Sequence, residues 1–77
     1  MAFYKIAFTL NGVRHYTTGT SSYPSDDMMS KPETWNEDIV RDNVMMFVGG
    51  YMDIMHLDGR VNPNSVYWEL YKREPNM

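Results

Sequence analysis

The sequence predicts an α+β fold, ββαβ, in which a three-stranded antiparallel sheet of order 2-1-3 carries one long helix packed on one face. Three observations predict it: an alternating apolar segment closed by Asn11-Gly12, a later segment whose apolar residues recur with helical period, and a second alternating segment near the C-terminus.

In the first segment Tyr4, Ile6, Phe8 and Leu10 alternate with Phe3, Lys5, Ala7 and Thr9, the period of a half-buried strand. Asn11-Gly12 suits a type I′ turn, which needs φ > 0 at both central residues. Val13 to Thr18 is then the returning strand, so the hairpin spans 3–18 with Leu10 facing Val13, Phe8 facing His15 and Ile6 facing Thr17. Residues 19–33, rich in Gly, Ser, Thr, Pro and Asp, read as a loop.

Overlapping capping-box patterns at Ser30-Lys31-Pro32-Glu33 and Thr34-Trp35-Asn36-Glu37 start a helix. Glu33, Glu37 and Asp38 in its first turns suit the positive end of the helix dipole. Gly49-Gly50 is the difficulty, since an interior glycine costs about 1 kcal/mol relative to alanine. The phase argues for continuity: Val40, Val44, Phe47, Val48, Tyr51, Ile54 and Met55 fall on one arc that runs through the glycines. The expectation is a single helix over about 34–57, stopped by Asp58-Gly59. The alternative is a helix to residue 48 and then a strand Tyr51–Leu57. A helix of that length would span about 36 Å and overhang the strands beneath it.

Asn62-Pro63-Asn64-Ser65 is a turn, and 66–73 is the last strand, with Val66, Trp68 and Leu70 on one face and Tyr67, Glu69, Tyr71 and Arg73 on the other. A right-handed crossover places this strand beside the first. Residues 74–77 are expected to fray. The expected core is Ile6, Phe8, Leu10, Val13, Val66, Trp68 and Leu70 beneath Val40, Val44, Phe47, Tyr51 and Ile54.

A chain of 77 residues is expected to form one small globular domain, 1–77, and buries only about 60% of its unfolded surface. It has no cysteine, which removes disulfides, thiolate catalysis and cysteine zinc sites. No apolar run is long enough for a membrane span and no signal peptide pattern opens the sequence, so a cytoplasmic protein is expected. Net charge is −3, the wrong sign for a simple duplex-DNA binder. The charge is unevenly spread. Residues 26–58 carry eight acids against Lys31 and Arg41, a net of −6, and the remainder is mildly basic. Eight methionines and six tyrosines suit adaptable contact surfaces, although methionine also fills small cores.

Catalytic patterns are missing. His15 and His56 are the only histidines, no phosphate-cradling glycine pattern occurs, and Asp53 with His56 at i and i+3 lacks a nucleophile beside it. Asp26-Asp27 with Asp58 lacks the spacing of a calcium loop. No enzyme, metal site or cofactor is expected. His15 reads as a core-edge side chain.

Two surfaces remain. The back of the helix carries Trp35, Asp38, Arg41, Asp42, Met45, Gly49, Met52, Asp53 and His56. Met45 and Met52 around Gly49, bordered by aspartates, resemble an apolar interface centre with a polar rim. The partner-binding candidates are therefore Trp35, Asp38, Asp42, Met45, Gly49, Met52 and Asp53. The open face of the sheet carries Lys5, Arg14, Tyr16, Tyr67, Tyr71 and Arg73, a stacking platform with cations, although tyrosine is also simply a good strand residue.

The leading expectation is a small acidic, non-enzymatic protein-binding module, an inhibitor or adaptor that occupies a basic surface of a partner and so mimics nucleic acid. Small size and acidity are shared with viral counter-defence factors, an analogy of size and charge alone. The alternative is single-stranded nucleic-acid binding on the tyrosine face. Homodimerisation through an open sheet edge competes for both surfaces.

Overall fold

A computed structural model describes residues 1–73, so the expectation of fraying at 74–77 lies outside the described residues. The Asn11-Gly12 turn has φ of 52° and 79°, as a type I′ turn requires, and it joins β1 (Ala2–Leu10) to β2 (Val13–Ser21). Nine unbroken pairs run from Leu10 opposite Val13 to Ala2 opposite Ser21. The hairpin is thus longer than expected, and residues 19–21 are strand, not loop. Thr20 on the exposed side favours strand there, Ser21 turns toward α2, and Gly19 meets a specific need described below.

The connection to the helix is more ordered than its composition suggests. It holds a short helix α1 (Asp26–Met29) and a 3-10 turn at Pro32–Thr34. The long helix, α2 (Glu37–Ile54), begins later than residue 34 because Trp35 is extended. Asn36 is its N-cap, and its side-chain oxygen accepts from the backbone N–H of Asp38 and Ile39.

The helix runs through Gly49-Gly50 without a break, so the strand Tyr51–Leu57 does not form. It ends before Asp58-Gly59, in a Schellman motif. The N–H of Leu57 bonds the carbonyl of Met52 at 2.9 Å, and that of His56 bonds the carbonyl of Asp53 at 3.3 Å. His56 takes the left-handed conformation, φ 55°, that glycine usually supplies. Met52 and Leu57, the two apolar positions of this motif, both pack against the core. At 18 residues α2 spans about 27 Å, matched to nine-residue strands, so the expected overhang is absent.

After a 3-10 turn at Pro63–Ser65, β3 (Tyr67–Tyr71) pairs antiparallel with β1. The sheet order is β2-β1-β3 with α2 across one face, the α+β arrangement expected.

The core consists of Ala2, Tyr4, Ile6, Phe8 and Leu10 of β1 against Val40, Val44 and Val48 of α2. Val66, Trp68 and Leu70 are only half-buried, and two expected core residues are not in it. Val13 is exposed at the turn end of the hairpin, and Ile54 is 78% exposed in the last helical turn. Both follow from where α2 sits. Asn43 donates to the Ser21 hydroxyl at 3.1 Å, Phe47 lies against Gly19, and the Tyr51 hydroxyl bonds His15 at 3.2 Å. The helix therefore runs antiparallel to β2 and over the β1–β2 pair, leaving β3 partly uncovered.

Gly19 permits this placement. A Cβ there would lie 2.5–2.7 Å from three ring atoms of Phe47. A polar network supports the same contact. Asn43 also donates to the buried Tyr4 hydroxyl at 3.1 Å, and that hydroxyl donates to the Tyr23 carbonyl at 2.6 Å. Burial raises the pKa of Tyr4 above its ordinary value, against a lowering by the Asn43 hydrogen bond.

Candidate functional site

Helical geometry places Met45, Asp38, Gly49, Asp42 and Asp53 within an arc of about 80° on the outer side of α2. All five are exposed. Among the described residues one ion pair occurs, between the Met1 ammonium and Asp26 at 2.9 Å. The ammonium holds the Asp26 carboxyl below its usual range, first by hydrogen bonding and then by charge. Asp38, Asp42, Asp53 and neighbouring Glu37 thus face solvent with no cation of the described chain against them. A Cβ at Gly49 or Gly50 would meet nothing within 4 Å, so the helix backbone is open to close approach there.

Met45 adjoins a groove of about 430 Å³ between α2 and the start of β3, lined by Arg41, Met45, Pro63, Asn64, Val66 and Trp68. The Arg41 guanidinium stands 6.0 Å over the Trp68 ring. The exposed aspartates thus lie beside Met45 on α2, and Met45 with Arg41 forms the helix side of an apolar depression that Val66 and Trp68 also line. Sequence reasoning missed this groove because it assigned Val66 and Trp68 to the core.

Two expected anchors are only partly exposed. Trp35 is half-buried against the core, and its indole N–H donates to the Met28 carbonyl at 2.7 Å, bracing the α1–α2 connection. Met52 is half-buried and packs against the core, next to Met45 on the helical wheel. A third apolar group was missed: Ile39 and Met46 are exposed, Met46 by 61%, on the far side of the aspartates from Met45. Their positions on the helical wheel, well off the core arc, were the available signal.

Opposite α2, the register aligns Tyr16, Ala7 and Tyr67 in one row and Thr18, Lys5 and Glu69 in the next. They enclose an open depression of about 360 Å³. Tyr16 is 71% exposed. Glu69 organises the β3 side. It accepts from Tyr71 and, at 3.0 Å, from Tyr67, which lowers its pKa and raises those of both tyrosines. Lys5 stands 5.9 Å from the Tyr71 ring centroid. Arg14 is drawn across the sheet, donating to the Ser65 carbonyl at 2.6 Å and the Thr9 hydroxyl at 3.2 Å. Arg73 is exposed.

The histidines do structural work. His15 stacks on Phe8, with ring centroids 5.4 Å apart, and bonds Tyr51. His56 caps α2, and its side chain makes no hydrogen bond to Asp53 among the described residues. Among those residues no three His, Cys, Asp or Glu side chains gather as metal ligands, and no helix is long and apolar enough to cross a membrane.

Comparison with models of known protein families, with curated proteins and with solved structures finds no match to this chain.

Proposed function

We infer that the chain is a non-enzymatic protein-binding module that docks a basic surface of a partner protein, acting as an inhibitor or adaptor by occupying that surface. One observation carries the reading. The outer side of α2 sets carboxylates with no ion-pair partner among the described residues beside Met45, which with Arg41 lines an apolar groove, while Gly49 leaves the helix backbone open between them. Unpaired surface charge steers a complementary partner, and an apolar pocket supplies the desolvated anchor that charge alone does not.

The test is charge reversal at Asp42 and Asp53. Asp38 is a poorer choice because it lies in the first turn of α2, where a lysine would oppose the helix dipole and lower stability by about 0.3–1 kcal/mol. Asp53 lies in the last turn, where lysine is favourable. Asp42→Lys with Asp53→Lys is expected to weaken partner binding roughly 10- to 100-fold, mostly through association rate and salt dependence, with no loss of melting temperature. Binding that survives this change would make the acidic face idle.

The sheet face supports nucleic acid less well. Tyr16 and Tyr67 flank Ala7 as stacking groups, but Glu69 places a carboxylate beside them and Arg14 is engaged within the fold. On that reading Tyr16→Ala and Tyr71→Ala would each weaken single-strand binding by about 1–3 kcal/mol.

A further inference from the structure

The outer edge of β2 is open along its whole length. In a hairpin with a two-residue turn, Leu10 and Val13 form a hydrogen-bonded pair, and the pattern alternates from there. Val13, His15, Thr17, Gly19 and Ser21 therefore bond β1, while Arg14, Tyr16, Thr18 and Thr20 turn their backbone N–H and C=O outward. The N–H of Thr9 donating to Ser65 on the β3 side fits the same alternation. Among the described residues no hydrogen bond reaches the four outward backbone pairs. The usual protections of an edge are missing too: the strand has no proline, no lysine and no bulge. Its one charge, Arg14, is held away over β1. By contrast β3 is five residues long and turns only Trp68 and Leu70 outward.

We propose that two copies of this chain pair antiparallel through β2, forming a continuous six-stranded sheet. Arg14 then faces Thr20 of the second copy, and Tyr16 faces Thr18, with the two-fold axis beside Thr17. All four are outward-bonding residues, so the register satisfies every open group and sets no like charges opposite each other. The helices fit the same axis. Because α2 overlies the β1–β2 pair, two copies would hold their helices about two strand spacings apart, ~9.6 Å. That is the ~8–10 Å at which helices pack. The flank of α2 turned toward β2, marked by Asn43 and Phe47, also carries Gly50, which would meet its counterpart near the axis, and exposed Ile54, which would lie against the 43–47 stretch of the second helix. The covered side is about 30 Å long and at least as deep as the shortest extent of the fold, 16 Å. Over both copies this is about 1,000 Å², the lower bound of a specific interface. The acidic arc of α2 lies on its opposite flank and stays free, so the dimer stands or falls separately from the binding reading.

Sedimentation equilibrium of the purified chain from low micromolar to millimolar concentration tests it, beside Thr18→Pro and Ile54→Asp. Thr18 turns its N–H outward, where proline is tolerated in a strand, and Ile54 is exposed in the monomer. The expected result is a concentration-dependent shift to twice the chain mass in wild type, with both variants at monomer mass and unchanged circular dichroism. Hydrogen exchange should show the amides of Tyr16 and Thr18 gaining protection as the dimer forms, a readout that needs no substitution if Thr18→Pro fails to fold. Monomer mass across the whole range, or a dimer in which those amides exchange freely and Ile54→Asp changes nothing, would overturn the proposal.

Discussion

Replacing Gly19 with alanine sets two effects of opposite sign against each other. Glycine inside a strand is entropically costly, and a compatible Gly→Ala change stabilises by about 0.4–1 kcal/mol through the unfolded state. The structure makes this position incompatible. The added Cβ would lie 2.5 Å from Cδ1, 2.6 Å from Cε1 and 2.7 Å from Cγ of Phe47. Those atoms include the root of the ring, so a small rotation of its far end gives no relief. The ring also packs edge-on against buried Tyr4, with centroids 5.4 Å apart, which blocks retreat into the core. Overpacking of this kind costs about 1–3 kcal/mol. The net expectation is a loss of about 1–2 kcal/mol, or roughly 5–15 °C in melting temperature for a domain of this size. Thermal and urea unfolding followed by circular dichroism would read it. In a Phe47→Leu background the same alanine should cost less than about 0.5 kcal/mol, because the clashing ring is gone. A Gly19→Ala protein as stable as wild type, or an equal loss in both backgrounds, would refute the placement of α2 over β2.

Other changes probe separate features. His56→Gly should stabilise by about 1 kcal/mol, since a side chain in the left-handed region is strained and the site is exposed; an unchanged or lower melting temperature would argue against the Schellman cap. Asn43→Ala should cost about 1–2 kcal/mol less a small gain in helix propensity, and no more, because Ser21 and Tyr4 each keep a partner in Tyr23. Loss of the fold would show that Asn43 carries more than these two bonds. Because the folded pKa of Glu69 is depressed, its contribution is present above the ordinary carboxylate range and is lost as pH falls below that range through the folded pKa. Tyr67 and Tyr71 have raised values, so their contribution is present at neutral pH and is lost as pH rises through their folded pKa. Glu69→Gln should return both tyrosines toward ordinary titration, followed by ultraviolet absorbance at alkaline pH; unshifted curves would mean that the two hydroxyls are not held by Glu69.

Local chemistry made the strands, their order and the helix legible. Asn11-Gly12 set the hairpin register pair by pair, and the apolar phase across Gly49-Gly50 outweighed the cost of two glycines. What failed was lateral placement. Periodicity says which side of a helix is apolar, but not which strands lie beneath it. That depends on a close approach at Gly19, a residue that reads locally as loop. Once α2 shifts toward β2, Trp68 and Val66 line a groove and Ile54 becomes surface. Trp35 and Met52 were misplaced for a different reason. Each serves an irregular segment, the braced α1–α2 connection and the helix cap, for which no period exists. The acidic arc was readable because charge and helical phase are both sequence properties.

The central claim is that the acidic, groove-bearing flank of α2 is a protein-docking surface. The most direct measurement is affinity capture at low salt with nuclease treatment, using wild type and the Asp42→Lys, Asp53→Lys variant as parallel baits of equal melting temperature. The account predicts one stoichiometric basic protein retained by wild type, released by salt and lost from the variant. The same protein held equally by both baits, or nucleic acid recovered without a dominant protein, would contradict it.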